Sequence, residues 1–441
     1  MKKVFTILLL LLPFASLSFS INIDDYLEIV PDAIYIEFFN YQNAEKISLL
    51  PSSYSNFIEL LGPQNISTNE YFIFANSEIY SPKTSLYIPI NTNFDYVLES
   101  ITNKDAIEDH SISNKTIKKV GNIYILKEKG EYIGISDSID VLLNKKISSS
   151  ESNLVTSFRS MILKGTSQNY PYFSFTILSK VSPLFNINIT NVAKYNFISD
   201  LNYLELYSKD NVTYQGKISL KSKDKIRLIY TPKVIRSINL EYLPHNDTIL
   251  SVSVNPNLVA DLINTFYPDI SQISPSFLLD LQKTISGTFG FSYNLDDENR
   301  LKKDLIALVG VKSKSQAEKF VKSFLGLSKY KKIKVKDYQL YEITTTTGNN
   351  EEKFYITYTD KEYVIALNSD IIVNFLDNLK MNNKSFTLSK GFIPSVYLDM
   401  LLNSANQKML QNSLPIPKKS EKIILSIEPD DSLNFIDVNI E

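Results

Sequence analysis

Leu305-Ile306-Ala307-Leu308-Val309-Gly310-Val311 reads as a buried β-strand, and it opens a series of elements that runs on to Leu379. From Ser315 to Leu325, residues Ala317, Phe320, Val321 and Phe324 fall at i, i+3, i+4 and i+7, which lines one face of a helix. Alternating strands follow around Leu340-Tyr341 and Tyr355-Ile356, then the run Glu362 to Leu367. Asn368-Ser369 is suited to cap a second helix, Ile371 to Leu379. A fainter copy of this order lies between Ser85 and Asn144. It has a strand at Leu86 to Ile90, then Phe94, Val97, Leu98 and Ile101 at helical spacing. Strands at Asn122 to Leu126 and Glu131 to Ile135 follow, then a short helix at Ile139 to Leu143 that Asp137-Ser138 can cap.

Working outward, the likeness extends to both ends of the copies. Leu27-Glu28-Ile29-Val30-Pro31 precedes a strand at Ala33 to Phe39, and Leu240-Glu241-Tyr242-Leu243-Pro244 precedes one at Thr248 to Val254. Apolar helical patterns come next, Ala44 to Leu61 in the first copy, Pro256 to Tyr267 and Ser276 to Leu281 in the second. Asn255-Pro256 combines a cap with proline at the first helical position. Strands at Glu70 to Ala75 and Gly287 to Tyr293 follow. Later strands come after a proline in each copy, Tyr172 to Leu178 and Val396 to Met400. Each copy closes with a hairpin: Tyr203 to Tyr207 with Val212 to Leu220, and Ile423 to Ile427 with Leu433 to Ile440. Two series of about ten elements in one order indicate a duplication. The expected fold is α+β, in two tandem related halves. Each is a mainly antiparallel sheet with amphipathic helices on one face, because the connections are short for parallel crossovers. The expected domains are 21–232 and 237–441, divided near Pro232 to Ser237, after a leader at 1–20.

This arrangement resembles a loosely defined group of exported bacterial proteins of unknown function built from duplicated α+β units. The resemblance is clearest from Thr248 to Leu379 and weak before Ser85. It implies an envelope location and a duplicated fold. It carries no catalytic motif, so no residue role transfers.

Length and composition agree with a globular protein of two domains: 441 residues, 44% hydrophobic and 21% charged, with only 12 glycines and no low-complexity tract. The N-terminus has the layout of a secretory signal peptide. Lys2-Lys3 form a basic start, Val4 to Leu12 an apolar run, and Ser18-Phe19-Ser20 a small-residue cleavage site before Ile21. No later apolar run is long enough to cross a bilayer as a helix. Removing both lysines changes the net charge of −2 to −2 − 2 = −4, which attracts neither nucleic acid nor an anionic surface. The four arginines, Arg159, Arg227, Arg236 and Arg300, are scattered, whereas phosphate recognition favours clustered arginine. With no cysteine, the chain has no disulfide, thiolate metal site or lipidated cysteine.

Chemistry is as sparse. His110, after Glu108-Asp109, is expected in a polar loop, and His245 in the turn before a strand, so two histidines alone cannot assemble a histidine-rich metal site. No phosphate loop, dinucleotide fingerprint or nucleophile elbow is present. Gly287-Thr288-Phe289-Gly290 reads as a bulge or a close-packing site within a strand. Asp296-Asp297-Glu298 and Asp430-Asp431 read as solvated turns or adventitious calcium contacts. Lys115 to Lys119 and Lys329 to Lys336 read as guards of sheet edges, with the lysines of the second stretch on one strand face. Catalytic, cofactor-binding and metal residues are therefore each "none". The expected function is that of an exported, periplasmic or cell-surface module that binds or interacts without catalysis. Its partner is an envelope protein or an apolar or glycan ligand, engaged in a groove or on an exposed sheet face. Carriage of a lipid or other apolar ligand is the first alternative, and a hydrolase using paired carboxylates the second. No cofactor, nucleotide or nucleic acid is expected.

Overall fold

A computed structural model describes residues 23–41, 52–78, 83–102, 107–112, 115–181, 193–210, 212–266, 275–295, 304–325, 330–347, 350–388, 391–401 and 422–440. These fall into two compact units, the described parts of Met1–Ile177 with Tyr207–Asn211, and of Leu178–Leu206 with Val212–Glu441. Both mix helices with an antiparallel sheet. The expected leader lies outside the described residues, as do Asp296-Asp297-Glu298 and the early part of the expected helix at Ala44 to Leu61.

The first unit contains β1 (Tyr35–Phe39), β2 (Phe72–Asn76), β3 (Thr84–Pro89), β4 (Ile107–Ile112), β5 (Lys115–Val120), β6 (Ile123–Glu128), β7 (Tyr132–Ser136) and β8 (Tyr172–Thr176). They pair in the order β8-β1-β2-β3-β7-β6-β5-β4. Its helices are α1 (Ile23–Ile29), α2 (Ser52–Leu61), α3 (Phe94–Thr102), α4 (Ile139–Leu142) and α5 (Ser152–Ser167). Tyr54, Phe57 and Leu61 of α2 and Val97 and Ile101 of α3 cover one sheet face, carrying Phe39, Phe74, Leu86 and Ile135. On the other face Phe38 stacks on Phe173 at 4.7 Å between ring centroids. Phe158 of α5 lies 5.9 Å from Phe38 and 5.4 Å from Phe175. Gly165 lets α5 approach this closely, since a Cβ there would come within 2.5 Å of the Phe173 ring.

In the second unit the strands are β9 (Leu201–Ser208, in this unit as far as Leu206), β10 (Tyr214–Leu220), β11 (Thr248–Ser253), β12 (Ile285–Tyr293), β13 (Ile306–Val311), β14 (Tyr330–Val335), β15 (Tyr338–Thr347), β16 (Asn350–Tyr358), β17 (Glu362–Ala366), β18 (Val396–Leu401), β19 (Lys422–Pro429) and β20 (Phe435–Ile440). From β10 the order is β10-β20-β19-β18-β11-β12-β13-β17-β16-β15-β14, and β9 pairs with β10. Besides short helical turns at Leu178–Val181 and Asp224–Ile229, the helices are α6 (Pro256–Phe266), α7 (Pro275–Thr284), α8 (Lys314–Leu325) and α9 (Ser369–Met381). Asn255 Oδ1 accepts from the Asn257 amide at 3.0 Å and Asn368 Oδ1 from the Asp370 amide at 3.0 Å, so both expected caps form. Ser138 makes no side-chain cap.

Helices cover both sheet faces, not one as expected. In the second unit α8 places Ala317, Val321 and Leu325 on Ile343, Ile356 and Tyr363. Helix α9 places Ile372 and Phe375 on the opposite face, with Leu308, Val364 and Ala366. The reason is visible in strands such as Ile306–Val311, which are apolar at successive positions and so need cover on both sides. A second difference concerns the hairpin expected to close the first half. Its strand β10 pairs with β20, so by packing it belongs to the sheet of the second unit.

Gly287 shows how tightly this sheet is set. It has φ +85° at a register shift between Ile285 and Phe289, and its carbonyl accepts from the Val254 amide at 2.8 Å. A Cβ there would lie 2.0 Å from the Val254 carbonyl oxygen. The residue is thus both a bulge and a close approach. Gly287→Ala is expected to cost about 1–3 kcal/mol or more through forced backbone rearrangement, read as a lowered melting temperature.

Candidate functional site

The most distinctive feature of the second unit is which side of its sheet is sealed. The register through β19, β18, β11 and β12 puts Leu425, Leu398, Leu250 and Phe291 on one face, joined by Val252 and Phe289. All six are partly exposed. The charged residues of β18, β19 and β20, among them Asp399, Lys422 and Glu428, lie on the opposite face by the same alternation. On β11 and β12 that opposite face carries Ser251, Ser253, Thr288 and Ser292, all buried. Along these strands small polar residues are sealed beside Ile249 and Tyr397, while the six apolar residues opposite are partly open next to buried Met400 and Ile423.

A strap of chain explains the sealed side. Residues 231–243 run across the small-residue face, burying Ile238, Leu240 and Leu243 against Ile249, Leu308 and Val364. Gly290 makes room, because a Cβ there would lie 2.9 Å from both the Ile238 and the Leu240 side chains. Three carboxylates hold the strap down. Glu428 takes two hydrogen bonds from Arg236, at 2.5 and 3.1 Å, and a third from the Ser395 amide at 2.7 Å. Glu362 accepts from the backbone and side-chain nitrogens of Asn239 at 2.8 and 2.9 Å. Burial raises the Glu362 carboxyl, and the hydrogen bonds from Thr359 and Asn239 oppose that rise. Glu241 accepts from the Leu388 amide at 2.8 Å and pairs with Lys384 at 2.7 Å.

On the open face, α8 covers only part of the sheet, taking in Val309, Ile365, Phe354 and Tyr358 beside its core contacts. Helix α7 packs on α8 and α6, and α6 touches β12. What remains along β11, β12, β18 and β19 is aliphatic and aromatic. Such a surface offers contact by area and shape and little hydrogen bonding. Sequence reading assigns none of these residues to a binding surface, because Leu-x-Val and Phe-x-Phe alternation on a strand looks like ordinary packing. The available signal was the glycine and serine pattern on the partner face, which marks where the backbone of a strap approaches.

The residues singled out from sequence disperse. His245 is exposed in the turn before β11. His110 lies in strand β4, opposite Ile117, and not in a loop; Lys118 and Lys119 of β5 offset its neighbours Asp109 and Glu108 at 2.5 and 3.9 Å. Lys115 to Lys119 form β5, which stands between β4 and β6, so they guard no edge. Lys332 and Lys334 do lie on β14, last in its ladder, and share one face. Lys331 points to the other face, and Lys336 sits in the turn with φ +52°. Asp430 accepts from the Asn434 and Phe435 amides at 3.0 and 3.1 Å, and Asp431 pairs with Lys233 at 3.0 Å, as a solvated turn requires. Among the described residues no group of three or more His, Asp or Glu side chains could hold a metal.

The model of a family described as "Protein of unknown function (DUF3352)" matches residues 276–396, which run from α7 to the start of β18 and include β12 to β17. No curated protein matches the chain. Solved structures of TP0453 are similar over about half of it. Crystal form III aligns at 12% identity, covering 46% of this chain and 80% of its own, with a TM-score of 0.28. Crystal form IV aligns at 12% identity, covering 44% and 79%, with a TM-score of 0.27. No described helix is long and apolar enough to cross a membrane.

Proposed function

We propose that the chain is an exported, non-enzymatic binding module of the cell envelope that holds an apolar ligand, a lipid acyl chain, on the open sheet face of the second unit. The observation that carries this reading is the partly exposed row Leu250, Val252, Phe289, Phe291, Leu398 and Leu425, opposite a sealed, strapped polar face. Export rests on the signal-peptide layout and places the mature N-terminus at Ile21, in the periplasm or at the cell surface. The chain is also read as a duplication, with related halves at 21–232 and 237–441. Support comes from the matched strand orders, β8-β1-β2-β3-β7-β6-β5-β4 and β18-β11-β12-β13-β17-β16-β15-β14, in which each strand of one series has its counterpart ten places later in the other. On this reading the two halves share a framework, and binding belongs to the half whose apolar face is open.

A fluorescent long-chain fatty acid tests the ligand class. Wild-type protein is expected to bind it saturably. Leu398→Asp and Phe291→Ser are each expected to weaken binding about tenfold or more, since each removes apolar contact worth more than 1.4 kcal/mol. Leu163→Ser, on the exposed side of α5, serves as the control. No saturable uptake by the wild type, or equal uptake by the two face variants, would remove the acyl-chain reading.

A further inference from the structure

Glu37 sits at the centre of β1 in the first unit, paired across to Phe74 of β2 and Ser174 of β8. It is 4% exposed, and its Oε2 is buried without a hydrogen-bond partner. Its face belongs to the cluster closed by α2 and α3, where Tyr35 and Tyr172 pack beside Phe39, Phe72 and Phe74. The two tyrosine hydroxyls meet each other at 2.8 Å and both favour the ionised carboxyl, yet Oε2 is left without a partner. Tyr54 of α2 is turned away, donating to the Thr84 carbonyl at 2.7 Å. Among the described residues, Tyr35 and Tyr172 act on the Glu37 carboxyl and no charged side chain contributes.

A carboxylate buried with no cation and one unpartnered oxygen is strongly disfavoured, whereas the neutral acid carries its own donor and needs only acceptors. We propose that Glu37 is a proton-operated latch of the first unit: protonated, it keeps the β8-β1-β2 core closed beneath α2, and loss of the proton loosens that core. Burial raises its carboxyl to about 7, and the tyrosine hydrogen bonds oppose the rise only in part. The sign follows from linkage. Below about 4.5 Glu37 is neutral both folded and unfolded. Between there and about 7 the unfolded chain binds fewer protons than the folded one, so stability falls as pH rises. Above about 7 the loss is complete. For a protein outside the cytoplasm, as proposed above, ambient pH is the signal that would reach it. The inference does not depend on the ligand reading, which concerns the other unit.

The test is urea unfolding of the full chain at pH 5 and pH 8, with hydrogen exchange of β1 and β8 amides corrected for intrinsic rate. The wild type is expected to have a lower urea midpoint and faster corrected exchange in β1 and β8 at pH 8. Glu37→Gln, neutral at both, should remove most of the exchange difference in β1 and β8 and part of the midpoint difference. Glu70 in the same unit is also raised to about 7, by burial and the nearby Glu131, so Glu70→Gln is the control that should leave the β1 and β8 difference in place. A pH-independent wild type overturns the latch, as does a Glu37→Gln protein with the wild-type difference. If Glu37→Gln fails to fold, carboxyl NMR of the wild type decides: titration of Glu37 near the ordinary glutamate value overturns the proposal, and titration near neutrality supports it.

Discussion

Arg236→Ala is expected to lower the unfolding free energy of the second unit by about 3–5 kcal/mol, the usual cost of leaving one partner of a buried ion pair unmatched. The Arg236 side chain is 0% exposed and Glu428 4%. The guanidinium also donates to the Thr231 carbonyl at 2.8 Å and the Ile393 carbonyl at 3.0 Å, and stacks 5.2 Å from the Tyr230 ring. Alanine removes all of these and leaves the buried Glu428 carboxylate with only the Ser395 amide and, at 4.0 Å, Lys233. Glu428→Ala should be similarly severe. The double variant should lose much less than the sum of the singles, because neither charge is then left alone. Urea unfolding of all three, arranged as a cycle, measures this directly. Because the strap seals the polar side of the sheet, the single variants should also expose the Ser251 and Thr288 surface to hydrogen exchange.

Phe158→Ala is expected to cost about 3–5 kcal/mol, the range for removing a fully buried aromatic ring. Phe158 is fully buried and stands between Phe38 and Phe175, so its loss opens a cavity between α5 and strands β1 and β8. On the same helix, Leu163→Ala should change stability by less than about 1 kcal/mol, since Leu163 is 48% exposed and gives up little apolar contact. A chemical denaturation curve for each, compared with the wild type, separates the two outcomes.

Where sequence reading succeeded, short-range physics sufficed. The caps at Asn255 and Asn368, the helical stripes around Val97 and Val321, and the closing hairpins follow from local spacing, and the structure has them. Helix α5 was passed over, although Leu154, Phe158, Met161 and Ile162 repeat at helical spacing, because Ser, Thr and Gly between them weaken the pattern. Strands β4 and β5 were missed because Glu108, Asp109, Lys118 and Lys119 mask their alternation; cross-strand charge pairing, the ladder and burial of Ile117 and Val120 hold them. The one-face layering failed because apolar residues at successive positions had been assigned to a single side. The candidate site was the least legible part. Whether Leu398 or Ser251 faces a sealed core depends on where residues 231–243 cross, and a contact between segments that far apart leaves no mark in local periodicity. Buried Glu37 escaped notice for the same reason: within Tyr-Ile-Glu-Phe-Phe it looks like the polar member of an alternating strand.

The most direct test of an apolar ligand on the open face is native mass spectrometry of the protein purified, without detergent, from a host that exports it. The expected spectrum has the mature chain beginning at Ile21 with an apolar adduct that organic extraction removes, and Leu398→Asp protein lacking that adduct. A wild-type chain that arrives bare, and stays bare after incubation with a total lipid extract, would contradict the proposal.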